Sequence, residues 1–522
     1  MPKILYLIFI FHLCNSLYAQ DYKFGKVSLA DLKKAKSEID TSAPAELLVK
    51  KVDIAFDDKY HLYYDIFVRV KIYDKSKAEE HLTEVINLHK NYKLTNFKAI
   101  TFNLERDKIE ESQLEKSQKF EVSLNSKAKS YRASFPNVKN GSVIDFKYSI
   151  YTENYYFPIQ YFQFDIPLVH GSFYFEYPEV IYYKGELKGE YFPSKTKQSV
   201  KFWNSNYSAN VIEYEFDNIK PYIKEPYVIN KNNSRTSVKY ELTGVYIPGV
   251  VYKNISKKKK NVAETLLDDS DFGKQIISNS KIEEYAESIV KNETDTLKIA
   301  KLILDHIHSE FKWNEDDGLL TDEGTKYCLS NKVGNVAELN LLLLSLLRAK
   351  GIKSYPIGIS TFDHGVINQA FPSLNSFNYI IVGVKANNKM NFLDASNKYS
   401  NVNILPIKYI NTIGYLLDEK FVDQVEIKNS VDSRIYNAVD AEFDDNMEIK
   451  ANSKLFMGSF FAIKMMDLFD DEMKFSKEVE SLLNIKLDSF SKSYNKNVVE
   501  VNYNYIEKNN IDQVDNKLIF NP

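Results

Sequence analysis

Gly334-Asn335-Val336-Ala337-Glu338-Leu339-Asn340 runs directly into Leu341-Leu342-Leu343-Leu344-Ser345-Leu346-Leu347-Arg348-Ala349-Lys350-Gly351. Asn335 has the side chain of an N-cap, and Glu338 stands three residues on, where a capping-box partner reaches back to the cap's own N–H. Gly351 is a natural C-terminal stop. These marks bracket a helix of about four turns. Its apolar residues run almost all the way round, which predicts a helix buried at the centre of a domain. Asn340 is a polar amide on that stretch. A buried amide without partners is costly, so Asn340 is expected to brace the backbone of a neighbouring strand.

Working outward, Ser354–Ser360 reads as a short strand, followed by the loop Thr361-Phe362-Asp363-His364-Gly365. Asn378–Val384 and Asn391–Ser396 are two more strands. Upstream, Ile299, Leu302, Ile303, Ile307 and Phe311 repeat at helical spacing, and Trp313–Thr325 is a Gly- and Asp-containing loop leading into the central helix. His306 and His308 lie two apart on the upstream helix and point to different faces, so they are not a metal pair. Cys328 is the one cysteine outside the first 19 residues. That excludes a disulfide within the mature chain and a cysteine metal cluster, and no metal or cofactor is expected.

The central stretch resembles the nucleophile helix of the transglutaminase-like superfamily, which has the papain-like cysteine-protease type of α/β fold. The family pattern is Gly-x-Cys, an acidic residue, then an apolar helix ending Leu-Arg-Ala-x-Gly-Ile. Gly334 matches its glycine, and Leu347-Arg348-Ala349-Lys350-Gly351-Ile352 matches its end. Val336 falls where the cysteine belongs. A helix N-terminus favours a thiolate, but a valine has none to offer. The resemblance also implies a histidine and an aspartate on the two following strands. The histidine position falls at Asn378 or Tyr379, and the aspartate position at Asp394, in Leu393-Asp394-Ala395-Ser396.

Before residue 250 the pattern is one of strands. Tyr63–Tyr73 and Val143–Ile150 alternate as half-buried strands, with a turn at Asn137–Gly141 between such runs. Tyr161–Ile166 and Ser172–Tyr177 are further apolar and aromatic segments, punctuated by Pro158, Pro167 and Pro178. An antiparallel sandwich or curved sheet is the economical reading. Phe135-Pro136-Asn137-Val138-Lys139-Asn140-Gly141-Ser142-Val143-Ile144-Asp145, then Phe162–Pro167 with Gln163 and Asp165 as edge polar groups, then Tyr177-Pro178-Glu179, resemble the uncharacterised β-domain, a domain of unknown function, that precedes transglutaminase-like domains in exported bacterial proteins.

Met1–Ala19 reads as a secretory signal: Lys3, a short apolar core from Ile4 to Leu13, and Leu17-Tyr18-Ala19 before Gln20. That core is too short to span a bilayer, and Phe11-His12-Leu13 are poor neighbours for lipid attachment at Cys14. The mature chain is therefore expected to be exported, periplasmic or secreted, without a transmembrane segment. Charge is balanced, 68 Lys+Arg against 71 Asp+Glu, which argues against a nucleic-acid partner. The Lys-rich stretch Asn254–Ser280, with Lys257-Lys258-Lys259-Lys260, marks a boundary in composition. The abundant aromatics, 37 Tyr and 33 Phe, suit β-rich domains.

The organisation expected is an α+β multidomain chain: a signal peptide at 1–19, an N-terminal antiparallel β-sandwich-like domain at 20–250, a transglutaminase-like domain at 260–425, and a short C-terminal β-rich region at 426–522. In that last region Phe475–Leu487 is helical, Val498–Tyr503 and Lys517–Phe520 are strands, and an open edge is expected where similar proteins continue. Ile410–Tyr415 resembles the sequence that closes the transglutaminase-like domain. The function this implies is a catalytically inactive binding or scaffolding module for a peptide, glycan or envelope protein. Its cleft would be bordered by Asn335, Glu338, Asn340 and His364. The alternative is a cysteine peptidase or acyl-transferase with a relocated nucleophile, for which Cys328, His364 and Asp394 are the imaginable set, or a Glu338–Asp394 carboxylate pair for acid-base work.

Overall fold

The structure, a computed structural model, describes residues 22–522 apart from 124–127, 205–206, 224–227, 229, 248–250, 255–258, 368–375, 410–411, 418–421, 429–432, 444–448, 496–497, 508–510, 515–516 and 521–522. The signal segment, Cys14, Lys257, Lys258, Ile410 and Asn411 thus lie outside the described residues. Two compact units emerge, Met1–Ile255 and Ser256–Pro522, and strand outweighs helix in the chain as a whole.

The first unit begins with a short helix α1 (Leu29–Lys33) and continues through strands β1 (Ala45–Phe56), β2 (Leu62–Ile72), β3 (Thr83–His89), β4 (Tyr92–Glu105), β5 (Lys108–Gln113), β6 (Lys119–Ser123), β7 (Ala128–Ser134) and β8 (Val143–Thr152). It ends with β9 (Gln160–Tyr161), β10 (Leu168–Pro178), β11 (Ile181–Lys188), β12 (Lys195–Phe202), β13 (Ser208–Ile219), β14 (Ser237–Ile247) and β15 (Val251–Asn254). Eight of these form one sheet in the order β12-β13-β10-β1-β2-β8-β4-β5. Smaller sheets are β3-β7-β6 and β11-β14-β15, with β9 paired to β14. The expectation of a wholly antiparallel domain is corrected at one place, because β1 runs parallel to β10, with Val52 opposite Phe173.

Alternation explains these strands. Val52, Ile54, Tyr64, Ile66, Val68 and Phe146 share one face across β1, β2 and β8, and all are buried. Of the apolar and aromatic segment Tyr161–Ile166, only Tyr161 falls in a strand, the two-residue β9. Phe162 instead lies flat on Phe216, centroids 4.4 Å apart, and covers Gly171 so closely that a Cβ there would stand 2.6 Å from its ring. Gln163 is buried rather than an edge group: its Oε1 accepts the Thr236 N–H at 3.2 Å.

The opposite face carries charge. Arg69 on β2 pairs in register with Asp145 on β8, and its Nε and Nη2 donate to the two carboxylate oxygens at 2.6 and 2.8 Å. Nη2 also donates to the Lys23 and Lys26 carbonyls, and Gly25 N–H donates to Asp145 Oδ2 at 2.9 Å. A bidentate buried pair therefore clamps the segment leading into α1 onto the sheet.

In the second unit come α2 (Lys259–Asp268), α3 (Ser280–Val290), α4 (Thr296–Glu310), β16 (Lys312–Trp313), α5 (Thr325–Asn331), β17 (Val333–Gly334) and α6 (Val336–Ala349). The strands β18 (Ser354–Ile359), β19 (Tyr379–Ala386), β20 (Lys389–Leu393), β21 (Thr412–Leu417) and β22 (Val422–Ile427) follow and form one antiparallel sheet, ordered β20-β19-β18-β21-β22. The Lys-rich stretch is not a plain linker: α2 starts within it and buries Val262, Ala263 and Leu266, an apolar face that lysine-rich composition conceals. The central helix α6 buries every residue from Val336 to Leu347, packed against the sheet.

The rest of the unit is β23 (Ile435–Phe443), β24 (Ile449–Gly458), α7 (Phe460–Met466), α8 (Glu472–Leu483), β25 (Ser489–Asn495), β26 (Val498–Glu507), β27 (Ile511–Val514) and β28 (Lys517–Phe520). Its four-stranded sheet, β23-β24-β26-β25, has a core of its own around Leu455, Met457, Met465, Phe475 and Val501. Helix α8 begins three residues before Phe475, capped by Asp471, and ends at Asn484 in a left-handed conformation, short of Leu487.

Replacing Arg69 by Ala strands Asp145 in the interior. The expected cost is about 3–5 kcal/mol of stability, with new protease cleavage between residues 22 and 34. A melting temperature and digestion pattern like the parent's would contradict this clamp.

Candidate active site of the central helix

The start of α6 is built as its sequence predicts. Asn335 Oδ1 accepts the Glu338 N–H at 2.9 Å, and Glu338 Oε2 accepts the Asn335 N–H at 2.8 Å. Glu338 does more than cap: its Oε1 also accepts the N–H groups of Asp322, Glu323 and Gly324, at 3.0, 2.7 and 2.8 Å. Asn335 Nδ2 donates to the Leu320 carbonyl. The loop after β16 is thereby drawn across the helix start. The Asp316 carbonyl accepts both the Val336 N–H at 3.2 Å and the Trp313 indole N–H at 3.0 Å. Asn335, Glu338 and Asn340 are wholly buried and face protein groups, so they do not border an open cleft. Val336 is also fully buried.

Asp394 sits immediately after β20 and is buried within a ring of donors. Oδ1 accepts from Asn340 Nδ2 at 3.1 Å and Ser396 N–H at 2.9 Å, and lies 2.7 Å from Ser396 Oγ. Oδ2 accepts the Tyr409 hydroxyl at 2.6 Å and lies 2.9 Å from that of Tyr379; Tyr379 Oη is also 2.7 Å from Ser396 Oγ, so of the Tyr379 and Ser396 hydroxyls one donates to the other and one to the carboxylate. Asn340 Oδ1 completes the brace by accepting the Ala395 N–H, while its amide also reaches the Val336 carbonyl one turn back. Positions 336, 340, 379 and 394 thus converge. Asn378 points elsewhere: its amide holds Thr361 through the backbone N–H and the hydroxyl, at 2.9 and 2.8 Å. Burial and the Asp394 charge push both tyrosine hydroxyls well above their ordinary pKa, so both stay protonated near neutrality and neither serves as a base.

The relocated set is not brought together. Cys328 is fully buried on α5 beneath Gly334, where a Cβ would stand 2.8 Å from its sulfur and 2.9 Å from Glu338 Cβ. Burial, reinforced by the Glu338 charge, pushes its thiol up to about 12. His364 is exposed, its Nδ1 2.9 Å from Ser360 Oγ; Ser360 gives its proton to the Gly365 carbonyl, so the imidazole is the donor of that pair. No hydrogen bond joins Cys328 to His364, and Glu338 and Asp394 serve separate donor sets.

The imidazole nearest this centre is one the sequence did not single out for it. His308 on α4 donates from Nε2 to the Asp394 carbonyl at 3.2 Å, and burial lowers its pKa. His306 goes instead to the Tyr285 hydroxyl at 2.7 Å. Tyr409 and the cover provided by Asp316 were also missed, since residues 15 and 20 positions distant in sequence leave no periodic trace. Among the described residues, no group of three or more His, Cys, Asp or Glu side chains is arranged to hold a metal, and no helix is long and apolar enough to cross a membrane.

An open groove lies beside the closed centre. It measures about 670 Å³ and is lined by His308, Trp313, Tyr399, Lys408 and, from α7, Phe460 and Ile463, with Lys398, Lys464, Asp467 and Asp470 around it. Lys408 lies over the Tyr379 ring at 4.3 Å and pairs with Asp317 at 3.2 Å, separating groove from aspartate.

Fold and centre together define a mostly β, multi-sheet protein whose second unit is organised around a buried, fully bonded carboxylate. Residues 68–223 match the family model of DUF3857, a domain of unknown function with solved structure. No curated protein matches the chain. The overall fold is similar to that of the crystal structure of "a putative protease" from Parabacteroides distasonis ATCC 8503: 12% identity, TM-score 0.54, covering 89% of this chain and 93% of that one. A "putative cysteine protease" from Cytophaga hutchinsonii is 10% identical over 58% of this chain and 78% of that one, with a TM-score of 0.20 that bears no weight.

Two outcomes are expected of this centre. Cys328, and a thiol introduced as Val336→Cys, will react with iodoacetamide near neutral pH only on unfolding; rapid labelling of either native protein would contradict the geometry. Asp394→Ala, which orphans four buried donor groups, will cost about 3–5 kcal/mol, against about 1–2 for Tyr379→Phe, read as loss of melting temperature in the full chain.

Proposed function

We propose that the second unit is a protease-like fold that binds an extended peptide in the groove beside α7 without hydrolysing it. The observation that carries this reading is the Asp394 carboxylate, whose donors are Asn340, Ser396 and the hydroxyls of Tyr379 and Tyr409. A carboxylate that orients an imidazole must leave it a free approach, and this one is ringed by donors from other residues. Two further features support the same reading. A helix N-terminus assists catalysis by offering free N–H groups to developing negative charge, and here the Val336 N–H is taken by Asp316. The chain position that the transglutaminase-like pattern gives to sulfur is an isopropyl group.

The groove has the volume of a ligand site and the mixture such sites use, apolar walls with a few polar groups. Phe460, Ile463 and Met466 favour side chains of a peptide over sugar rings, and the charges of both signs around them suit a backbone flanked by polar residues. Export of the chain to the envelope, the three-part domain organisation and the scaffolding role belong to this same proposal.

The test uses the full chain. A fluorescein-labelled casein should survive incubation intact, while selection from a phage-displayed dodecapeptide library should yield binders. Their affinity should fall roughly tenfold in the surface double variant Lys398→Glu/Lys464→Glu and stay unchanged in Tyr379→Phe. Casein hydrolysis by the parent protein would refute the inert reading; selected peptides indifferent to the charge reversals would refute the groove.

A further inference from the structure

Independently of that groove, the first unit contains two opposite charges where its own pattern calls for apolar side chains. Lys50 on β1 stands directly opposite Val68 on β2 and Gly171 on β10, in the row that continues with Val52 and Ile54. Glu84 on β3 belongs to the inward row it shares with buried Ile86 and Leu88, while Val85 and Asn87 are exposed. Both line a cavity of about 150 Å³ between the large sheet and β3, with Val68, Phe135, Phe146 and Phe164 among its walls.

Among the described residues neither charge has an oppositely charged side chain in direct contact. Lys50 Nζ donates to the Tyr161 carbonyl at 3.0 Å and lies 5.0 Å from the Phe164 ring centroid. Glu84 is hydrogen-bonded to the Tyr148 hydroxyl, with the His81 imidazole nearby. The two groups feel one another's charge, yet no direct ion pair joins them. Both residues are half-buried, and opposite charges partly withdrawn from water and held apart recover little of their desolvation cost. A molecule carrying both complementary charges between them would recover it.

We propose that this cavity binds a small zwitterion, a free α-amino acid with a short apolar side chain, its carboxylate against Lys50 and its ammonium against Glu84. The size agrees: an apolar cavity of about 150 Å³ accommodates benzene, six heavy atoms, as many as alanine has. The polarity agrees too. Arg235 places a second positive charge near Lys50, its guanidinium stacked on Tyr161 at 4.5 Å, so the carboxylate belongs at that end. A neutral guest would leave both charges uncompensated.

The site also has a pH signature. Burial lowers the Lys50 ammonium to about 8 and raises the Glu84 carboxyl to about 7. Around Lys50 stand Glu84 and Arg235; around Glu84 stand Lys50, Tyr148 and His81, with Glu80 at the rim. Protonation of Glu84 removes the ammonium's partner as pH falls through 7, and deprotonation of Lys50 removes the carboxylate's partner as pH rises through 8.

The experiment is saturation-transfer NMR and calorimetry on the full chain with glycine, alanine, serine and valine, and with the single-charge analogues propionate and ethylamine. At least one amino acid should bind, most tightly between the two titrations, with both analogues roughly tenfold or more weaker. Lys50→Met and Glu84→Gln should each weaken it by a similar factor, circular dichroism verifying their fold. If no amino acid binds at any pH, or propionate or ethylamine binds as tightly, the proposal is overturned. This ligand-side comparison decides the matter even where a variant fails to fold.

Discussion

The second unit depends on how one buried anion is accommodated. Among the described residues no cation is in contact with Asp394. Its charge is spread over donors supplied by Asn340, Ser396, Tyr379 and Tyr409. Donors of this kind stabilise a carboxylate away from water because each is strengthened by the low dielectric around it. They also arrive from separate parts of the chain: α6, the start of β19, the turn after β20 and the single turn before β21. The same contacts that keep the anion tolerable therefore join the helix to the sheet. A relay for protons needs a group able to exchange them near neutrality, and this node is made of hydroxyls and amides that do not.

The closure of the helix start follows the same economy. Glu338 gathers three loop N–H groups besides that of its cap, so the segment from Asp322 to Gly324 cannot lift away without exposing a carboxylate to an empty interior. The space a reactive thiol would need is filled by backbone. What stays open is the adjoining surface, where residues following Asp394 leave the sheet and meet α7.

Much of this was legible in sequence where the signal is local. The caps of α6, its stop at Gly351, the strands around it and the alternation of β2 and β8 are all written in neighbouring residues. Resemblance pointed to Asp394 and left Asn378 and Tyr379 in balance, because register at a strand start shifts by one without altering the pattern; only the fold shows Tyr379 directed at the aspartate and Asn378 at Thr361. Tyr409 and Asp316 are long-range partners and leave no periodic trace. Helix α2 was hidden by lysines and α7 by its brevity. Lys50 breaks the alternation of β1, but a register slip and a true inward charge look alike until the partner strand is known.

The parallel pairing of β1 with β10 divides the large sheet into two antiparallel halves, β12-β13-β10 on one side and β1-β2-β8-β4-β5 on the other. Each half is knitted largely by strands near one another in the chain. The seam between them joins Leu47 to Leu168, Val52 to Phe173 and Ile54 to Phe175, so it waits for more than a hundred intervening residues to be in place. Until then the inward row of β1 has no neighbour on that side, and its exposed edge is where premature association with another chain would begin.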